Sequence, residues 1–212
     1  MNKILRTIIV WSVLGCMFAG MPTTAKAQKV VFPQQKQAGV ATLKCNAKNF
    51  TLANSLLQAS YSVVNGTLRF NGCKAMDLMP SADLFRIGLA DRTEFSSQDM
   101  KLASVTTENY AADPKAAKGS ERFRGKGVKA VFTRGDLRVE WRAVLRDGSH
   151  YLRTEMSISS GKDVRMDHIV PMIYAVDVRK AKSAPRVVGN TRGAALLSSK
   201  LFAGLETPMG VN

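Results

Sequence analysis

The sequence predicts an all-β protein, an antiparallel β-sandwich. Apolar residues alternate with period two in window after window, tight-turn dipeptides separate those windows, and no stretch sustains an apolar period of 3.6. About ten hairpin-linked strands without crossover helices leave two packed antiparallel sheets as the natural architecture.

The strands can be taken in order. Val40 to Cys45 is the first candidate. Leu57, Ala59, Tyr61 and Val63 then alternate with Gln58, Ser60 and Ser62. Asn65-Gly66 follows, and Leu68 and Phe70 alternate with Arg69. An Asn-Gly pair between alternating runs is the strongest short hairpin signal, because both turn residues must take positive φ. Leu84 to Leu89 and Leu102 to Thr106 are further candidates. Val128, Ala130 and Phe132 form another strand, closed by Arg134-Gly135-Asp136. Val139, Trp141, Ala143 and Leu145 then share one face, with Arg138, Glu140 and Arg142 on the other. Asp147-Gly148 turns the chain, and Leu152, Thr154, Met156 and Ile158 return. Val164 to Val178 contains Pro171, which removes a ladder donor and confines that run to an edge or breaks it. Glu108 to Gly125 lacks apolar alternation and reads as a surface loop with room for one helical turn.

The two ends read differently. Lys3 and Arg6, the apolar stretch Ile8 to Phe18 and the small-x-small triplet Ala25-Lys26-Ala27 have the form of a secretory signal peptide over residues 1–27, cleaved after Ala27. The competing reading is a lipobox, Val13-Leu14-Gly15-Cys16, with Cys16 as the lipid carrier. Either way the chain is expected to be exported, with the sandwich over residues 28–212 and no transmembrane segment left after cleavage. At the C-terminal end, Ala194 to Leu197 and Leu201 to Leu205 are apolar and sit close to the last residue, so the sandwich is expected to be incomplete there.

The 212 residues carry 31 Lys and Arg against 16 Asp and Glu, for a net charge of +15. Loss of Lys3, Arg6 and Lys26 with the signal leaves 28 basic residues and a net +12. Such a balance suits a polyanionic partner, yet Lys129, Arg138, Arg142 and Arg146 fall on outward strand positions, where solvated faces need charge. Nucleic-acid modules pair a basic groove with exposed aromatics. Here Trp141, Phe132, Phe70 and Tyr61 fall on the inward phase, so no nucleic-acid partner is expected.

Chemistry-bearing motifs are sparse. Cys45 and Cys73 remain after signal removal, and an oxidising compartment permits one disulfide between them; the alternative is two buried thiols on separate strands. Their spacing fits no metal site, and no cofactor is implied. Gly125-Lys126-Gly127 lacks the rest of a phosphate loop. His150 and His168 have no Ser or Cys arrangement nearby and read as structural or exposed. Asn49-Phe50-Thr51 and Asn65-Gly66-Thr67 are formal glycosylation sequons. Glu206, on a Gly- and Pro-held loop after an apolar strand, is the acid best placed to act as a sugar or cation ligand; the competing reading is a solvated loop acid.

Three stretches carry a family resemblance: Asn65-Gly66-Thr67-Leu68 with Lys74-Ala75-Met76-Asp77-Leu78, Glu140 through Tyr151, and Lys200 through Met209. In this order they resemble the N-terminal β-sandwich of large secreted bacterial alpha-galactosidase-like glycoside hydrolases, some of them described as enterotoxins. His150 and Thr207 depart from the pattern, standing where asparagine and histidine are expected. The resemblance implies a galactose-mutarotase-like supersandwich that supports a separate, absent catalytic domain. Carbohydrate is then the partner of that domain, and a loop from Gly204 to Asn212 is positioned to lend residues such as Glu206 and Asn212 to a sugar site. Two other readings stand beside it: a stand-alone carbohydrate-binding or adhesion module, and a basic periplasmic or surface-interaction protein that binds polyanions.

Overall fold

The computed structural model describes residues 36–74, 78–177, 185–190, 194–197 and 202–205, and these are almost all β. The first sheet is formed by β1 (Thr42–Cys45), β2 (Asn49–Ala53), β3 (Gln58–Val64), β4 (Thr67–Cys73) and β5 (Leu78–Met79), completed by β13 (Ala175–Val176) in the order β1-β2-β3-β4-β5-β13. The second holds the long strands β8 (Lys101–Tyr110), β9 (Gly125–Arg134), β10 (Leu137–Arg146) and β11 (Arg153–Ser160) as β11-β10-β9-β8. Two smaller sheets are β12-β6-β7, from β6 (Arg86–Leu89), β7 (Glu94–Ser96) and β12 (Met166–Val170), and β14-β15-β16, from β14 (Arg186–Val188), β15 (Ala195–Leu197) and β16 (Phe202–Ala203). Every pairing within these sheets is antiparallel. The all-β, sandwich-like class read from the alternation is the class the structure has.

Turn chemistry fixes the registers. Asn65 and Gly66 have φ of +52° and +74°, so the loop between β3 and β4 follows the right-handed twist of its strands. Gly135, at +57°, opens the two-residue turn from β9 to β10. Gly148, at +73°, starts the return to β11, and its N–H donates to the Gly39 carbonyl at 2.8 Å.

The inward aromatics build the core. The Tyr61 ring lies 5.4 Å from Trp141 and 5.4 Å from Phe70, joining the first sheet to the second. Phe85, just before β6, packs edge-on at 5.2 Å against Phe132 of β9. All of these side chains are excluded from solvent, as the inward phase requires. The opposite phase of β9 and β10 carries Lys129, Arg138, Glu140 and Arg142, none of which is buried.

Several details differ from expectation. Asn49-Phe50-Thr51 lies inside β2, where Phe50 and Leu52 are buried and Asn49 faces solvent. The run alternates like its neighbours, but over only five residues. The loop is shorter than 108–125: β8 runs on to Tyr110, leaving 111–124 with a 3-10 turn at Gly119–Arg122. Pro171 does break its run, since β12 ends at Val170 and the chain resumes as β13.

Cys45 and Cys73 stand on separate strands of the first sheet. Cys45 is exposed on the edge strand β1 and Cys73 is buried on β4. Two strands separate β1 from β4. At about 4.8 Å per strand the gap is roughly 14 Å, well beyond the reach of a disulfide.

Candidate functional site

Ala27, Cys16, Glu206 and Asn212 lie outside the described residues. His150 is exposed, in the turn after Gly148. Among the described residues no group of three His, Cys, Asp or Glu side chains is arranged to hold a metal ion, and no helix is long and apolar enough to cross a membrane. Two clefts concentrate what chemistry there is.

The first, of about 400 Å³, lies on the small sheet β12-β6-β7. The pairing of β12 with β6 skips a residue between Met166 and His168, a bulge at Asp167. Bulges re-aim side chains. His168 stands opposite Gly88 of β6, and its imidazole lies where a Cβ on Gly88 would be, so only glycine permits the ring to rest on that strand. The ring is held at both nitrogens: Nδ1 is 2.9 Å from the Asp167 carboxylate and Nε2 is 3.3 Å from Glu94. Glu94 is also 3.3 Å from Arg86, which reaches Asp83 at 3.6 Å. Arg92, in the turn joining β6 to β7, has φ of +69°, a left-handed conformation that a side chain makes costly. The arrangement favours an imidazolium that donates from both nitrogens.

The hydrogen bond to Asp167, with that to Glu94, raises the His168 pKa above its ordinary value. A raised folded-state pKa stabilises the fold fully below the unfolded value, about 6.5, and that contribution disappears as pH climbs through the folded value. The thermal midpoint is therefore expected to fall as pH rises above the unfolded value and through the raised folded one, and His168→Gln should remove that part of the dependence. With only two histidines in the chain, a proton NMR titration separates them. Asp167→Asn should move the His168 midpoint back down, and a native midpoint at or below the ordinary one would contradict the clasp.

The second cleft, of about 420 Å³, lies where the ends of β8 and β9 meet the chain entering β1. It is lined by Val40, Ala41, Asn109, Tyr110, Ala111, Arg124, Gly125, Lys126 and Asp147. Gly125-Lys126-Gly127 belongs here, for a steric reason and not as a phosphate loop. A Cβ on Gly127 would sit 2.8 Å from the Tyr110 ring, and one on Gly125 would sit 2.6 Å from the Arg146 side chain. Both side chains therefore lie flat across β9. The Arg146 guanidinium is 4.6 Å from the Tyr110 ring centroid, a favourable cation–π geometry, and it donates to the Phe123 carbonyl at 2.8 Å. The Tyr110 hydroxyl is hydrogen-bonded to Glu108. Burial, followed by that bond, pushes the Tyr110 pKa up, so the phenol stays protonated.

Asp147 closes the other side. Its Oδ1 accepts the Ala41 N–H at 2.8 Å, its Oδ2 is 3.5 Å from Arg124 Nε, and its own N–H donates to the Arg124 carbonyl at 2.7 Å. Lys126 Nζ donates to Asn109 Oδ1 at 2.6 Å. Sequence reasoning missed this cleft. The available signal was a pair of glycines two apart in a strand, which marks close approach of another group.

Elsewhere the basic residues are offset locally. Glu140 is 3.1 Å from Lys129, 3.0 Å from Arg138 and 3.1 Å from Arg142, and Arg142 also reaches Glu108 at 3.3 Å. Hydrogen bonds from Lys129 and then Arg138 hold the Glu140 pKa below the ordinary carboxylate range. The outer face of β9 and β10 is thus a mixed-charge network.

A third feature is apolar. Phe202 is 70% and Val187 62% exposed, and Val188, Leu205, Ile169 and Val170 are also open to solvent. They lie on or beside β12, β14 and β16.

No family model, curated protein or solved structure matches this chain.

Proposed function

We propose that this chain is exported and serves as the non-catalytic β-sandwich of a carbohydrate-active enzyme of the glycoside hydrolase class. It supports a catalytic domain and is inactive alone. The observation that carries this reading is the apolar surface on the later strands. Exposed apolar side chains gathered on one face of a strand pair mark a place suited to be covered. In the small sheet β14-β15-β16, Leu196 and Ala203 pack on the core, while Phe202 and Val188, on the opposite face by register, remain open. The sandwich class and the resemblance of the three stretches to secreted glycosidases point the same way.

The reading makes a measurable demand. The isolated full chain should enhance the fluorescence of an apolar-surface dye and associate at raised concentration. Phe202→Ser combined with Val188→Thr should lower both signals with little change in unfolding free energy, within about 0.5 kcal/mol, because exposed positions contribute little to the core. A monodisperse native chain with no dye enhancement would count against a covered surface and so against the supporting role.

A further inference from the structure

We propose that the cleft between β1, β8 and β9 binds a carboxylate-bearing saccharide, with Arg124 and Lys126 taking the carboxylate. The cleft's size, about 420 Å³, is in the range of small-ligand sites. Its charge points to an anion. Two cations, Arg124 and Lys126, face one acid, Asp147, whose two oxygens are already engaged by the Ala41 N–H and by Arg124 Nε. The Arg124 side chain is 74% exposed, so its terminal nitrogens stay open to solvent while Nε is anchored. This presents the flat, two-pronged donor that suits a carboxylate. Lys126 spends one N–H on Asn109, which leaves two for a ligand.

The walls are fixed before any ligand arrives. Tyr110 is clamped between the Gly127 backbone and the Arg146 guanidinium, and its hydroxyl is tied to Glu108. Asp147 is held through both side chain and backbone. Pre-organised groups lose little freedom on binding, so even a small polar site can select its ligand. The Asn109 amide nitrogen remains for a hydroxyl, and Val40, 62% exposed, offers an apolar wall for a sugar's C–H face. The choice of a saccharide over other carboxylates rests on the carbohydrate-active reading above; the choice of an anion rests on the cleft itself.

The test is calorimetric titration of the full chain with trigalacturonate, against galactotriose and inorganic sulfate. Saturable binding of trigalacturonate is expected, weakened about tenfold by either Arg124→Ala or Lys126→Ala, the loss of one charge-assisted hydrogen bond. Arg124→Lys should recover part of the affinity. All three substitutions should leave the thermal midpoint within about 2 °C of native, since the exposed ends of these side chains carry little of the fold's stability. Sulfate binding as tightly as trigalacturonate would overturn the saccharide assignment. Trigalacturonate binding that both alanine variants leave unchanged would overturn the cleft. Galactotriose bound in preference would overturn the anionic specificity while leaving the carbohydrate-active reading intact. No binding of any of the three would overturn the inference alone, because the supporting role is decided by the dye measurement.

Discussion

Replacing Trp141 with alanine is expected to lower the unfolding free energy by about 3–5 kcal/mol, the range for emptying an aromatic site in a close-packed core. Trp141 is 1% exposed and meets the Tyr61 ring nearly edge-on, at 67° and 5.4 Å. On its own sheet it stands between Ala130 of β9 and Met156 of β11. Ala130 is too small to fill the void, and Tyr61 is held by Phe70 on its other side, so the site cannot collapse cheaply. A domain stable by about 5–15 kcal/mol would lose about a fifth or more of that margin. Among the described residues the indole Nε1 is buried without a hydrogen-bond partner. Trp141→Phe therefore gives up volume but no hydrogen bond, and should cost less than half as much as the alanine variant. Urea titrations of both variants check the order. A loss below about 1 kcal/mol for Trp141→Ala would mean that the two sheets do not meet through this ring.

Gly72→Ala is expected to be strongly damaging for a single-methyl addition, costing about 2–4 kcal/mol from an unfavourable backbone conformation and a steric clash together. Gly72 has φ of +115°, and a Cβ there would lie 2.8 Å from the Leu78 carbonyl oxygen. The obstacle is backbone on the neighbouring strand, so it cannot swing aside. The site is also where β4 changes register against β3, Ser60 pairing with Gly72 and Tyr61 with Phe70. Gly66→Ala is the control. Gly66 has φ of +74° but nothing within 4 Å of a Cβ, so its cost should be the conformational part alone, about 1–2 kcal/mol. Equal losses at the two positions, in matched denaturation curves, would show that the contact with Leu78 does not matter.

How far the residues could be read depends on the range of the interaction concerned. The hairpin at Asn65-Gly66 and the inward phase of Tyr61, Phe70, Phe132 and Trp141 were legible because each is set by neighbours one or two residues away. The β2 strand carried the same signal, with Phe50 and Leu52 inward, but over only five residues. Whether Cys45 meets Cys73 was not legible. Chain spacing permits a bridge, and only the strand order β1-β2-β3-β4 shows that two strands intervene. His168 reads as an isolated histidine, since just one of its carboxylates, Asp167, is adjacent in sequence. Glu94 and the Gly88 seat arrive from a different hairpin.

The sequence by itself determined that this chain is built of twisted antiparallel strands, and which side of each strand is apolar. Side chains alternate across a strand with a period of two, and that period is written locally. The tertiary structure alone decided which outward groups meet. It brings the Ala41 N–H onto Asp147 across 106 residues of chain, and it lays Tyr110 and Arg146 across the glycines of β9. Those juxtapositions depend on register and on how one sheet sits over another. Both are set by pairings between distant segments that leave no period to read.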